Sequence, residues 1–238
     1  MLTIAHQTLK DKQYSYMEKQ FNTYIFDLDG TLLYTLDDLT ASTNHAMREL
    51  GFKEHSKEEV RAMVGNGIRK LIERAVPEGT PSQLYEKAYN EFISHYLKHS
   101  LDTTHPYQGI IEMLKALKNR GAQMAIVSNK YYKATEHLCN TFFSEYISVA
   151  IGESENIRKK PAPDTVLEAM RRLGANREST VYVGDSEVDI ATARNCGIPC
   201  ISVLWGFKDK DFLIKNGATI LVENPNEILS IRNPHRDS

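Results

Sequence analysis

Short unbroken apolar runs alternate with stretches of helical period along most of the chain. Tyr24-Ile25-Phe26, Met124-Ala125-Ile126-Val127, Tyr146 to Ile151, Thr180-Val181-Tyr182-Val183 and Ile198 to Val203 read as strands buried on both faces. Between them, Ile110, Met113, Leu114 and Leu117 share one helical face, which Gly121 ends. Val166, Leu167, Met170 and Leu173 share another, opened by Pro163 and closed by Gly174. The alternation predicts an α/β fold built on a doubly wound parallel sheet.

The rhythm differs after the first strand. Leu36, Leu39, Thr43, Ala46, Met47 and Leu50 fall on one face of a helix, with Gly51 as its stop. Ser56-Lys57-Glu58-Glu59 has the form of a capping box. Gly65-Asn66-Gly67 interrupts, and Ile68, Leu71, Ile72 and Ala75 resume helical spacing. Thr80-Pro81-Ser82-Gln83 predicts a further helix with Thr80 as N-cap and Pro81 at its first position. Leu84, Ala88, Phe92 and Tyr96, with Tyr85, Tyr89, Ile93 and Leu97 beside them, give it a broad apolar stripe. Residues 36–105 thus read as an all-helical insertion into an α/β core of residues 21–35 and 106–230. Residues 1–20 read as an N-terminal extension, with Met17 the expected natural start, and residues 231–238 as a frayed tail.

Composition narrows the class. The 238 residues are 41% hydrophobic and 25% charged, as in a soluble globular protein, which excludes a disordered chain. Lys plus Arg is 29 against Asp plus Glu 31, so no cationic excess favours nucleic acid or an anionic membrane. No apolar run approaches the ~20 residues that span a bilayer, and the polar start has no signal-peptide core, so a cytoplasmic protein is expected. Cys139, Cys196 and Cys200 lack metal-ligand spacing, as do His45, His95, His99, His105 and His137, and neither set is given a role.

In open α/β sheets ligands bind beyond the carboxyl ends of the strands. Polar clusters stand at such ends: Asp27-Leu28-Asp29-Gly30-Thr31, Ser128-Asn129-Lys130, Lys159-Lys160-Pro161 and Gly184-Asp185-Ser186-Glu187-Val188-Asp189. Asp27, Asp29 and Asp185 would repel one another unless a hard divalent cation joined them, and Mg²⁺ favours a few carboxylates with phosphate oxygens. An anionic substrate then requires a cation opposite, for which Lys160 is better placed than Lys159. Ser128 offers a hydroxyl, helix-start N–H groups bind phosphate, and Gly30 permits a tight loop. Metal, anion cradle, nucleophile and proton shuttle are the equipment of phosphoryl transfer.

Asp27-x-Asp29-Gly30-Thr31, Ser128, Lys160 and Gly184-Asp185-Ser186-x-x-Asp189 resemble the four motifs of the haloacid dehalogenase-like hydrolase superfamily, from about Phe21 to Leu229. The helical insertion resembles the superfamily's small helical cap. Ser128-Asn129-Lys130, Val64-Gly65-Asn66-Gly67, Trp205-Gly206-Phe207 and Asn216-Gly217-Ala218 are similar to the phosphoglycolate phosphatase group. The resemblance implies Asp27 as nucleophile, forming a phosphoaspartyl intermediate, and Asp29 as general acid and then base. It implies Mg²⁺ held by Asp27, Asp185 and the Asp29 carbonyl, with Asp189 supporting them. Thr31, Ser128, Asn129 and Lys160 would bind phosphate, with Gly65 and Asn66 on the substrate. Tyr34 departs from the pattern, since many relatives carry Asp there, at the entry to the cap.

The implied reaction is hydrolysis of a small phosphorylated metabolite by a monomer or small homo-oligomer. An inorganic pyrophosphatase or phosphosugar mutase shares the motifs. A phospho-accepting signalling domain is the rival from another class, disfavoured by Asp29 and the insertion. At single positions the plain readings stand beside the functional ones. Asp189 is placed either at a helix start or in the site, Lys130 either in solvent at a helix start or on substrate. Arg69 and Lys70 read as an exposed helix face, and the tyrosines between Leu84 and Leu97 as cap core.

Overall fold

A computed structural model describes residues 20–233. The expected extension, its Met17 start and most of the expected tail lie outside the described residues. Six parallel strands form the central sheet: β1 (Thr23–Phe26), β4 (Gln123–Tyr131), β5 (Val149–Glu153), β6 (Thr180–Gly184), β7 (Cys200–Val203) and β8 (Ile220–Val222), in the order β5-β4-β1-β6-β7-β8. The chain runs outward from β1 through β4 to β5, then returns to the other side of β1 with β6. That reversal opens a crevice at the carboxyl end of β1, where a doubly wound sheet binds ligands.

The strand pleat sends alternate side chains to opposite layers. Tyr24, Phe26, Val181 and Val183 face α5 (Ile110–Asn119) and α6 (Tyr132–Phe143), meeting Met113, Leu117, Leu138 and Phe143. Ile25, Ala125, Val127 and Tyr182 face α7 (Asp164–Leu173) and α8 (Glu187–Cys196), meeting Val166, Met170 and Ala193. Both faces are covered, which is why the strands read as continuous apolar runs.

The insertion contains α1 (Leu36–Glu49), α2 (Lys57–Met63), α3 (Ile68–Ala75) and α4 (Ser82–His99). Leu39, Met47, Val60, Ile72, Ala88 and Phe92 form its own apolar cluster. A two-stranded antiparallel ribbon, β2 (Leu33–Tyr34) and β3 (His105–Pro106), closes its base. Buried Asp38 of α1 ties the two passages together, accepting hydrogen bonds from the backbone and hydroxyls of Thr103 and Thr104. Tyr34 stands in this ribbon and donates its hydroxyl to Asp37 at 2.9 Å. Two short helices, α9 (Lys210–Lys215) and α10 (Pro225–Ile228), complete the core.

Several local expectations shift. The capping box at Ser56 and Glu59 forms, but α4 begins one residue later than expected, with Pro81 as its N-cap, because the Thr80 hydroxyl donates to the Pro77 carbonyl instead. Leu84, Leu97 and Leu167 stand in solvent, at the margins of their apolar faces. The strand expected at Tyr146–Ile151 is displaced, since Tyr146 and Ile147 close a turn onto Phe143. Among the described residues no helix is long and apolar enough to cross a membrane.

Candidate active site

Asp27 directly follows β1 and Asp185 directly follows β6, so the parallel pairing of the two strands sets these carboxylates side by side. Asp189, in the first turn of α8, joins them, and the three place carboxylate oxygens within 4.8 Å of one another. All three are buried. Burial pushes the Asp27 carboxyl well above the usual carboxylate range, and the charges of Asp189 and Asp185 push the same way against Lys160. Asp185 is pushed up to about 7, chiefly by burial and Asp189, although the Phe207 N–H and Thr31 hydroxyl work to lower it. Three crowded carboxylates suit a hard divalent cation such as Mg²⁺, whose charge would offset the mutual repulsion that adds to burial in raising both groups.

Lys160 supplies the built-in cation. Its Nζ lies 2.8 Å from Asp27 Oδ1 and 2.7 Å from Asp189 Oδ1, and it donates to the Tyr182 hydroxyl at 3.0 Å. Burial alone would favour the neutral amine, but Asp189 and Asp27 outweigh it and hold the ammonium charged. Tyr182 in turn donates to Asp189 Oδ1 at 3.0 Å. Asp189 Oδ2 accepts from the backbone N–H and hydroxyl of Ser186, the helix N-cap. Asp189 therefore caps α8 and holds Lys160 with one carboxylate, so both sequence readings of this residue describe the same geometry.

The expected phosphate ligands separate into two groups. Ser128, Asn129 and Lys160 line the cleft, with Gly65 and Asn66 opposite them. Asn129 is spent on the backbone of Lys160, donating to its carbonyl at 3.0 Å and accepting from its N–H at 2.8 Å. Thr31 does not line the cleft. It is fully buried and donates to Asp185 Oδ1 at 3.1 Å. The Phe207 N–H reaches Asp185 Oδ2 at 2.8 Å, so both oxygens are oriented from behind. Gly30 is required here twice over: its φ is +85°, and a Cβ would lie 2.5 Å from Asp185 Oδ2.

Asp29 is paired with Lys130, 3.0 Å from Nζ to Oδ1. Lys130 is not the solvated residue of a helix start. It belongs to β4, is 5% exposed, and donates to the Tyr96 hydroxyl of α4 at 2.7 Å, with Nζ 4.5 Å from the ring centre. Tyr96 is thus both cap core, stacked on Phe92, and a partner of the site. Arg69 stays on the exposed face, bound to Glu86.

The helical insertion roofs the cleft. Leu39, Gly67, Ile68 and Leu71 face it, and the α3 N-terminus has no side-chain cap. The loop after β7 links roof to floor. Phe207 packs into the helical cluster, and Arg61 of α2 donates to the Phe207 and Gly206 carbonyls at 2.8 and 3.1 Å. Lys208 returns a hydrogen bond to the Val64 carbonyl at 3.2 Å. In the sequence, Trp205-Gly206-Phe207 carries only a group resemblance. Its position behind Asp185 depends on the return of a distant loop.

Comparison with known proteins agrees with this geometry. The haloacid dehalogenase-like hydrolase family profile matches residues 24–203. The phosphoglycolate phosphatase of Aquifex aeolicus is 29% identical over 212 residues, spanning 89% of this chain and 96% of the relative. That of Agrobacterium fabrum is 34% identical over 198 residues, 78% of this chain and 81% of the relative. A crystal structure from Lactobacillus delbrueckii subsp. bulgaricus, provisionally assigned as a phosphoglycolate phosphatase, superposes with a TM-score of 0.84 at 33% identity, over 88% of this chain and 97% of that one. The sheet order, the motif residues gathered at its switch point and these matches place the chain in the haloacid dehalogenase-like hydrolase family.

Proposed function

We propose that the chain is a Mg²⁺-dependent phosphatase that hydrolyses a small phosphate monoester, 2-phosphoglycolate or a close analogue, through a phosphoaspartyl intermediate on Asp27. The observation that carries the reading is the division of two carboxylates between two buried lysines: Asp27 with Lys160 at 2.8 Å and Asp29 with Lys130 at 3.0 Å. Such a pair separates a nucleophile from a proton shuttle.

Asp27, Asp185 and the Asp29 carbonyl would hold Mg²⁺, which when bound supplies charge neutralisation and polarises the phosphoryl oxygens. Lys160 and Ser128 orient the phosphate for in-line attack by the Asp27 carboxylate. As the phosphorus–oxygen bond to the leaving group breaks, Asp29 gives its proton to the departing alkoxide. Water then attacks the phosphoaspartate, Asp29 takes the water's proton, and phosphate leaves with Asp27 restored. Positioned acid–base catalysis gives roughly 10²–10⁴, whereas monoester hydrolysis can require up to ~10²¹. Most of the acceleration therefore lies in the fixed charges and in-line positioning around Asp27. The helical roof excludes water and limits leaving-group size.

The test is phosphate release from 2-phosphoglycolate, other small monoesters and pyrophosphate, before and after chelation. Mg²⁺-dependent release from a carboxylated monoester is expected. Preference for pyrophosphate would favour the pyrophosphatase alternative. Undiminished turnover after thorough chelation would refute the metal.

A further inference from the structure

Building on that reading, we propose that Lys130 is the specificity-determining residue of the site: its ammonium binds a carboxylate on the leaving group. Three lysines line the cleft, Lys130, Lys160 and Lys208. Lys160 stands beside the nucleophile Asp27, where it serves the phosphate, and Lys208 is tied to cap carbonyls at Val64 and Ala62. Lys130 alone of these stands beside the proton shuttle, 3.0 Å from Asp29. A general acid must touch the leaving-group oxygen, so a cation one hydrogen bond beyond it lies on the leaving-group side.

An ammonium has three N–H donors. The Tyr96 hydroxyl takes one at 2.7 Å, and Asp29 Oδ1 lies 3.0 Å away as the ion-pair partner. The third is available to the cleft. In a glycolate ester the carboxylate is separated from the bridging oxygen by one methylene, a span short enough for Asp29 to hold that oxygen while Lys130 holds the carboxylate. The surroundings favour a small monoanion over a second phosphate. Leu39, Ile68 and Leu71 line the same cleft, and such apolar walls suit a small, singly charged group beside the ammonium. Tyr96 comes from the helical insertion, so the cap supplies one of the contacts that seat Lys130.

The test compares kcat/KM for 2-phosphoglycolate and ethyl phosphate, which lacks the carboxylate. Truncating one side of a buried charge pair costs a factor of roughly 10²–10³, and the unaltered protein is expected to prefer 2-phosphoglycolate by that factor. Lys130→Met lowers both rates, because Asp29 loses its partner, but brings the preference below about 10-fold, leaving only the residual charge field. Lys130→Arg retains a preference. Equal rates on the two esters in the unaltered protein overturn the proposal while the phosphatase reading stands, and this arm needs no variant to fold. A preference kept intact in Lys130→Met overturns it as well. Release from neither ester refutes the phosphatase reading itself.

Discussion

Replacing Asp189 with alanine tests whether the site is held together from behind. The carboxylate accepts hydrogen bonds from Lys160 at 2.7 Å, Tyr182 at 3.0 Å, and the Ser186 hydroxyl and N–H at 2.6 and 3.1 Å. Breaking a buried ion pair on one side costs about 3–5 kcal/mol, and the lower end applies because Lys160 keeps Asp27 at 2.8 Å. Loss of the helix cap adds about 1 kcal/mol. Against this, removing Asp189 relieves its repulsion of Asp27 and Asp185, which it helps to raise. The direct contacts outweigh the relief, and the net loss is about 2–4 kcal/mol. Tyr182→Phe removes one hydroxyl from the same network and costs only about 1 kcal/mol. Urea unfolding of both variants at neutral pH in chelator, with slopes checked for constancy, reads these values. An Asp189→Ala protein as stable as the parent, or less affected than Tyr182→Phe, would refute the account of Asp189 as the shared anchor.

Two further outcomes follow from the same geometry. Asp27 and Asp185 bind protons more tightly folded than unfolded, so the metal-free protein loses stability as pH rises from the ordinary carboxylate range through about 7. A higher melting temperature at pH 5 than at pH 8, with the difference abolished by Mg²⁺, is expected; no dependence on pH in chelator would contradict the crowding. Arg61→Ala removes the donors that tie α2 to the Phe207 loop, and kcat/KM is expected to fall roughly 10-fold, about the worth of one hydrogen bond from a charged donor. Unchanged kinetics would show that the tie does not bear on the closed site.

The site was legible where its chemistry is local in sequence and attached to a strand end. Asp27 and Asp185 follow apolar runs whose burial dictates a parallel sheet, and that topology brings them together; the third carboxylate of the cluster is Asp189 rather than the expected Asp29, which pairs with Lys130 instead. What escaped depends on distant returns of the chain. Tyr182 reads as a core strand residue, yet its hydroxyl reaches Lys160 and Asp189 because its side of the sheet packs on α8. Tyr96 lies 34 residues before Lys130, and no local pattern joins them. The two-residue strands of the ribbon at Leu33–Tyr34 and His105–Pro106 are too short to leave a period. His45, His95 and His99 show no ligand spacing, but the packing of α1 on α4 stacks His45 on His95, centroids 4.4 Å apart, and the helical turn of α4 stacks His95 on His99 at 4.3 Å. Its place in the first motif predicts Thr31 as a phosphate ligand; the turn at Gly30 directs its hydroxyl to Asp185 instead.

Everything in the proposed chemistry passes through one oxygen of Asp27. Acid quenching of the protein during turnover of 2-phosphoglycolate with Mg²⁺, followed by mass analysis of its peptides, examines that oxygen directly. The peptide containing Asp27 is expected to gain one phosphoryl group, and Asp27→Asn to show neither the gain nor turnover. Sustained phosphate release by Asp27→Asn, or a phosphoryl group trapped on another residue, would contradict the account.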